Sequence, residues 1–103
     1  MTQRIVALFN LKPGVTASEY EAWARRVDLP TVNGLKSIDG FTILKSSACL
    51  GSEAKPPYQY IEIIDVEDMD GFGREIATPT MQKVAGEFRS FVDVTFILTD
   101  KLG

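Results

Sequence analysis

The 103-residue chain has no histidine and a single cysteine, Cys49. Without imidazole there is no Ser-His or Cys-His nucleophile pair, and no thiolate-imidazole set for zinc or haem. A lone cysteine cannot close an internal disulfide. It reads as a small packed hydrophobe, with a reactive thiol as the alternative. Basic charge is sparse: eleven Lys and Arg stand scattered against fourteen Asp and Glu, for a net charge of −3. That balance disfavours a nucleic-acid partner held by phosphate contacts. No apolar run approaches the roughly 20 residues that span a bilayer, and the amino terminus lacks an apolar signal region. A cytoplasmic protein with no membrane partner is therefore expected, without cofactor or metal. Any acid or base must come from a carboxylate, tyrosine, lysine or the backbone.

What is present is an ordinary globular mixture, 45% hydrophobic and 24% charged, which fits one domain over residues 1–103. Strands are expected over about residues 4–11, 37–50, 58–66 and 89–99, the second interrupted by a turn or bulge at Asp39-Gly40. In the first, Ile5, Ala7, Phe9 and Leu11 form one alternate set, and Val6 and Leu8 belong to the other. The last repeats this with Val92, Val94, Phe96 and Leu98 against Phe91, Thr95 and Ile97. Both faces are apolar.

A helix starts at Thr16, where Thr16 and Glu19 form a T-x-x-E capping box and Val15 and Tyr20 stand at hydrophobic-staple spacing. Tyr20, Trp23, Ala24 and Val27 make its inner face, and Glu21 can pair with Arg25 outside. Pro30 implies a bend and a short second turn ending at Asn33-Gly34. Further on, Asp68 caps a helix carrying Met69, Phe72 and Ile76. Thr78-Pro79 restarts helix with Met81, Val84 and Ala85, and Gly86 is expected to end it.

The order βαββαβ with right-handed crossovers predicts an α+β, ferredoxin-like antiparallel four-stranded sheet of spatial order 4-1-3-2, with both helices on one face. The other face is then apolar and bare. Soluble monomers seldom expose so much, so a homodimer through the sheet faces, a dimeric α+β barrel, is expected.

Three motifs fail on spacing. Aligning Gly71 of the acidic cluster Asp65, Glu67, Asp68, Asp70 with a calcium loop's glycine puts Val66 at the first ligand position and Ala77 at the bidentate glutamate. Gly71-Phe72-Gly73 lacks the third glycine of a dinucleotide loop, where Ile76 stands. The third strand, Tyr58-Gln59-Tyr60-Ile61-Glu62, is acidic and carries no RNA-binding motif.

The remaining polar residues define a candidate small-molecule site between helices and sheet. Glu62 lies on a central strand, where desolvation would raise its pKa towards neutrality; otherwise it pairs with a cross-strand Arg or Lys, or reaches solvent at an open barrel end. Tyr58 and Tyr60 share its face as ligand donors or dimer-core aromatics. Asn10 binds a ligand carbonyl or ties down the following turn. Tyr20 and Trp23 either stack on a flat substrate or pack the core. Asp28 is a helix cap or a second acid at the cleft mouth, and Thr31 and Thr78 are contacts or caps.

The segments Asp28-Leu29-Pro30-Thr31-Val32-Asn33-Gly34-Leu35-Lys36-Ser37-Ile38, Tyr60-Ile61-Glu62-Ile63-Ile64-Asp65-Val66-Glu67-Asp68-Met69 and Ala77-Thr78-Pro79-Thr80-Met81-Gln82 resemble the RedY/HapK-like family. The resemblance extends over nearly the whole chain. It implies a dimeric α+β barrel associated with gene clusters for prodigiosin-type tripyrrole pigments and related pyrrole or indole products. A small cofactor-independent tailoring or assembly protein of secondary metabolism, handling a small aromatic intermediate, is the function so implied. Glu62 or Asp28 would move a proton in condensation or elimination. A non-catalytic carrier and a cofactor-free monooxygenase are the alternatives.

Overall fold

In the computed structural model, which describes residues 2–103, the chain runs β1 (Gln3–Leu11), α1 (Ala17–Trp23), a π-helical turn (Ala24–Asp28), α2 (Leu29–Asn33), β2 (Ile38–Lys45), β3 (Tyr60–Val66), α3 (Met69–Ile76), α4 (Pro79–Phe91) and β4 (Val92–Thr99). The strands form one antiparallel sheet in the order β2-β3-β1-β4, which is the expected 4-1-3-2 arrangement seen from its other edge. Central β1 and β3 decide what each face carries. Ile5 stands opposite Ile64 and Leu98, Ala7 opposite Glu62 and Phe96, and Phe9 opposite Tyr60 and Val94. This set faces the helices. Phe9 is fully buried there, with its ring stacked on Tyr60 at 5.4 Å and met edge-on by Tyr20 and Phe88. Burying each such ring contributes about 1.5–3 kcal/mol.

The opposite set places Val6 against Ile63 and Ile97, and Leu8 against Ile61. These side chains stay half-buried or exposed, with Leu44 at 44% and Ile97 at 41% exposure. An ion pair, Arg4 Nε to Asp65 Oδ1 at 2.8 Å, borders the same face. Both faces of the sheet are apolar, as the alternation indicates, and only one is covered by helices.

Local chemistry sets most boundaries. Thr16 caps α1, its Oγ1 accepting from Glu19 N at 3.1 Å, so the side-chain half of the capping box that starts at Thr16 is made. Asp68 caps α3 through Gly71 N, and Thr78 caps α4 through Met81 N. The register shifts between Ile38 and Gly40, making Asp39 a bulge.

Three expectations are corrected. Gly86 does not end α4: Phe88, a turn beyond Val84, continues the buried face, and the burial outweighs the ~1 kcal/mol cost of an interior glycine. The helix therefore runs to Phe91, and β4 begins at Val92 rather than Arg89. The β2-β3 ladder stops at Lys45 and Tyr60, leaving residues 46–59 as a polar connection in which Pro56 and Pro57 supply no N–H for a ladder. Tyr58 thus precedes the strand that was expected to contain it. The short second turn expected at Pro30 is present as α2, with Pro30 in its first turn and Gly34 as its C-cap; before it the backbone stays right-handed helical from Trp23 to Leu29 and widens into the π-helical turn, closed by Leu29 N–H to Ala24 O.

Candidate functional site

The π-helical turn matters because it re-aims one side chain. In an uninterrupted α-helix, Tyr20, Trp23, Ala24 and Val27 would share the inner face, and Asp28 would lie off it. The wider turn carries Asp28 inward, where it is 5% exposed, and leaves Val27 half-buried. Asp28 occupies the N-cap position of α2 but makes no capping hydrogen bond. Its carboxyl is turned to the Glu62 carboxyl instead, close enough for the pair to share a proton when one of them is protonated.

Glu62 projects from β3 on the helix side and is 3% exposed. Its cross-strand neighbours are Ala7 and Ile43, so no Arg or Lys pairs with it across the sheet. Burial, followed by the nearby Asp28 charge and their shared hydrogen bond, pushes Glu62 up to about 9. Burial also pushes Asp28 up to about 7, against the opposing effect of the Glu62 hydrogen bond. Because burial raises both carboxyls and each disfavours ionisation of the other, the two titrate as a pair that retains a proton near neutrality. Oε2 of Glu62 is buried with no hydrogen-bond partner among the described residues. The pair therefore supplies an acid, a base and an unused polar atom at one point.

That point lies in the wall of a cavity of about 300 Å³ between the sheet and the helices. Apart from Asp28, Glu62 and Arg89, its lining is apolar, with the rings of Phe41, Phe72, Phe88 and Phe96 around it. Phe96 and Leu98 remain 45% and 63% exposed at its β4 side. An apolar chamber with a few convergent polar groups is the usual composition of a small-molecule site, here at the small end of the size range.

The other candidates are not gathered there. Tyr20 and Trp23 belong to the aromatic core with Phe9, Phe88 and Phe91, so the cavity does not lie between those two residues and the sheet. Tyr20 Oη and Trp23 Nε1 are nonetheless buried without hydrogen-bond partners. Burial and the charges of Glu62 and Asp28 hold the Tyr20 hydroxyl far above its usual range. Tyr20 and Tyr60 line a separate chamber of about 140 Å³. At that chamber Tyr60 Oη donates to Glu21 Oε2 at 2.6 Å, and Lys45 Nζ reaches the same oxygen at 2.7 Å. Arg25 lies 3.6 Å from Glu21, the outer pair expected from their spacing. Lys45, then Tyr60, lower the Glu21 pKa, and burial with the Glu21 contact raises that of Tyr60.

Asn10 ties down the chain entering β3: its Nδ2 donates to Pro57 O and its Oδ1 accepts from Gln59 N. It does not bond the turn after β1. Tyr58 is exposed outside the cavity, and Thr31 is half-buried on α2. Thr78 lies along a different groove, with Lys36, Arg74 and Glu75. Its measurable role is the cap, so Thr78→Ala is expected to cost about 1 kcal/mol in a urea melt while leaving ligand affinity at the carboxyl pair unchanged. Among the described residues no group of three or more His, Cys, Asp or Glu is placed to hold a metal ion.

Two site features were missed in the sequence reading. The π-helical turn has no simple residue signature, although Pro30 just after it removes an N–H and signals irregular hydrogen bonding. A strand expected from residue 89 leaves Arg89 off the cavity wall, where its place in the last turn of α4 puts it.

A family profile described as REDY-like protein HapK matches residues 3–102. Among solved structures, HapK from Hahella chejuensis is 26% identical to the chain with a TM-score of 0.79, over 100% of this chain and 94% of that one. SnoaB, a cofactor-independent oxygenase from Streptomyces nogalater, is 18% identical with a TM-score of 0.76, over 99% and 94% of the two chains. A dimeric ferredoxin-like protein from Thermobifida fusca is 19% identical with a TM-score of 0.72, over 98% and 92%. The last two show a shared fold. No curated protein sequence matches the chain.

Proposed function

The chain belongs to the REDY-like HapK family, and on that premise we propose that it is a small cofactor-independent protein of secondary metabolism that binds an aromatic, pyrrole- or indole-type intermediate in the helix-side cavity. The Asp28-Glu62 pair performs proton transfer on that ligand. The reading is carried by one observation: two buried carboxyls, Asp28 and Glu62, line one cavity whose wall is otherwise apolar but for Arg89.

The chemistry this arrangement suits is the elimination that completes a condensation. Ionised Asp28 takes a proton from carbon while Glu62 gives its proton to the departing hydroxyl. The C–H and C–O bonds break, a double bond forms, and water leaves. Transfer of the proton from Asp28 back to Glu62 restores the pair. Positioning in a water-poor chamber supplies much of the rate. The protein acts as a homodimer whose bare sheet faces cover each other, an arrangement supported by their exposed apolar residues and by a dimeric relative of the same fold.

Thermal-shift screening of pyrrole and indole acids identifies the ligand class, and turnover is then compared in Glu62→Gln. Glutamine keeps the shape and the hydrogen bond to Asp28 but cannot release a proton. Turnover is expected to fall at least tenfold with ligand affinity unchanged; equal turnover would remove Glu62 from the mechanism. A carrier role, favoured by the apolar enclosure, predicts that both proteins protect the intermediate and neither converts it. Oxygen uptake during the same assay would instead indicate oxygenation of the kind named for SnoaB.

A further inference from the structure

The cavity has one cation in its lining, Arg89. Met81, Val84, Ala85 and Phe88 follow one another along a stripe of α4 that forms an apolar wall, and Arg89 continues that stripe in the last turn. It is exposed and shares the cavity lining with Phe96 and Leu98, themselves exposed, and Phe88 and Phe96 approach to 6.3 Å between ring centroids. The Arg89 backbone oxygen accepts from Lys12 Nζ at 2.7 Å, which fixes the end of the helix. Its guanidinium, however, has no ion pair among the described residues. A cation in a last helical turn also complements the helix dipole, but that effect does not require the side chain to line a cavity.

The sheet register sets the spacing. Glu62, Ala7 and Phe96 form one row across β3, β1 and β4. Two interstrand steps separate the carboxyl pair from the β4 edge, about 10 Å. That is close to the length of a two-ring aromatic with one substituent.

We infer that the ligand is an aromatic acid, its carboxylate held by the Arg89 guanidinium at the β4 edge and its neutral polar group presented to Glu62 and Asp28 at the inner end. This orientation follows from charge. A carboxylate at the inner end would meet two acids, and at the outer end it meets a planar donor suited to two parallel hydrogen bonds. The inference rests on the cavity being the ligand site, as in the proposed function, and adds the substrate class and a specificity-determining residue.

Indole-3-carboxylate and indole-3-carboxamide, nearly equal in shape, are titrated calorimetrically into the wild-type protein, Arg89→Ala and Arg89→Lys at pH 7. The wild type is expected to bind the carboxylate about tenfold more tightly than the carboxamide, the factor that ~1.4 kcal/mol supplies. Arg89→Ala should abolish the preference by weakening carboxylate binding alone, and Arg89→Lys should keep part of it. Equal binding of the two probes by the wild type, or a preference surviving in Arg89→Ala, overturns the inference and leaves the cavity reading standing. If neither probe binds the wild type, both fall together.

Discussion

Leu44→Lys and Ile63→Asp are each expected to turn a species of about twice the 11.4 kDa chain mass into one of 11.4 kDa in light scattering at micromolar concentration. The two positions test different things. Leu44 is already 44% exposed in the single chain, so a lysine there can be solvated with little effect on that chain's own fold. Ile63 sits at the centre of the bare face, between Val6 of β1 and Thr42 of β2. In a two-fold dimer an aspartate at this position is repeated by symmetry, so each protomer would bury one such charge in the interface. An unpaired buried charge costs on the order of 3 kcal/mol or more, a weakening of at least about 100-fold. A wild-type protein that scatters as 11.4 kDa removes the sheet-face dimer outright. A wild-type dimer that survives both substitutions moves the interface elsewhere.

The same row-by-row reading shows what the sequence carries and what it hides. Period-two alternation in β1 and β3 identified the sheet, its two apolar faces and the central place of Glu62, because antiparallel pairing fixes which residues share a face. Thr16, Asp68 and Thr78 announced helix starts because each offers an oxygen to an N–H that the helix leaves unpaired. Gly86 misled because a local propensity of about 1 kcal/mol yields to the burial of Phe88, a tertiary fact. That misplacement put Arg89 on a strand and concealed the basic end of the cavity. Asp28 was legible as an acid or a cap, and only the π-helical turn decides between them by rotating it towards Glu62. Tyr20 and Trp23 were legible as inward-facing, but whether an inward aromatic packs core or lines a cavity depends on which helix leaves space beside it. Here Phe88 and Phe91 fill that space.

Urea denaturation at fixed protein concentration is expected to show wild-type stability falling as pH rises from 5 to 9, with Glu62→Gln removing most of the fall. Glu62 ordinarily titrates near 4.5 and in the folded chain near 9. Between those values the folded chain keeps a proton that the unfolded chain has released. Stability is therefore complete below about 4.5 and declines by about 1.4 kcal/mol per pH unit for one such proton until about 9. Asp28 acts in the same direction between 3.8 and about 7. The two carboxyls are coupled, so their effects are less than additive. Glutamine reproduces the protonated form of Glu62 at every pH. The variant should match the wild type near pH 5 and exceed its stability by at least about 2 kcal/mol at pH 9. Asp28→Asn provides the complementary measurement: without the neighbouring charge Glu62 ionises earlier, so the decline should end at a lower pH. Parallel pH profiles for wild type and Glu62→Gln would show that Glu62 carries no extra proton in the folded chain, and the acid in the proposed mechanism would be lost with it.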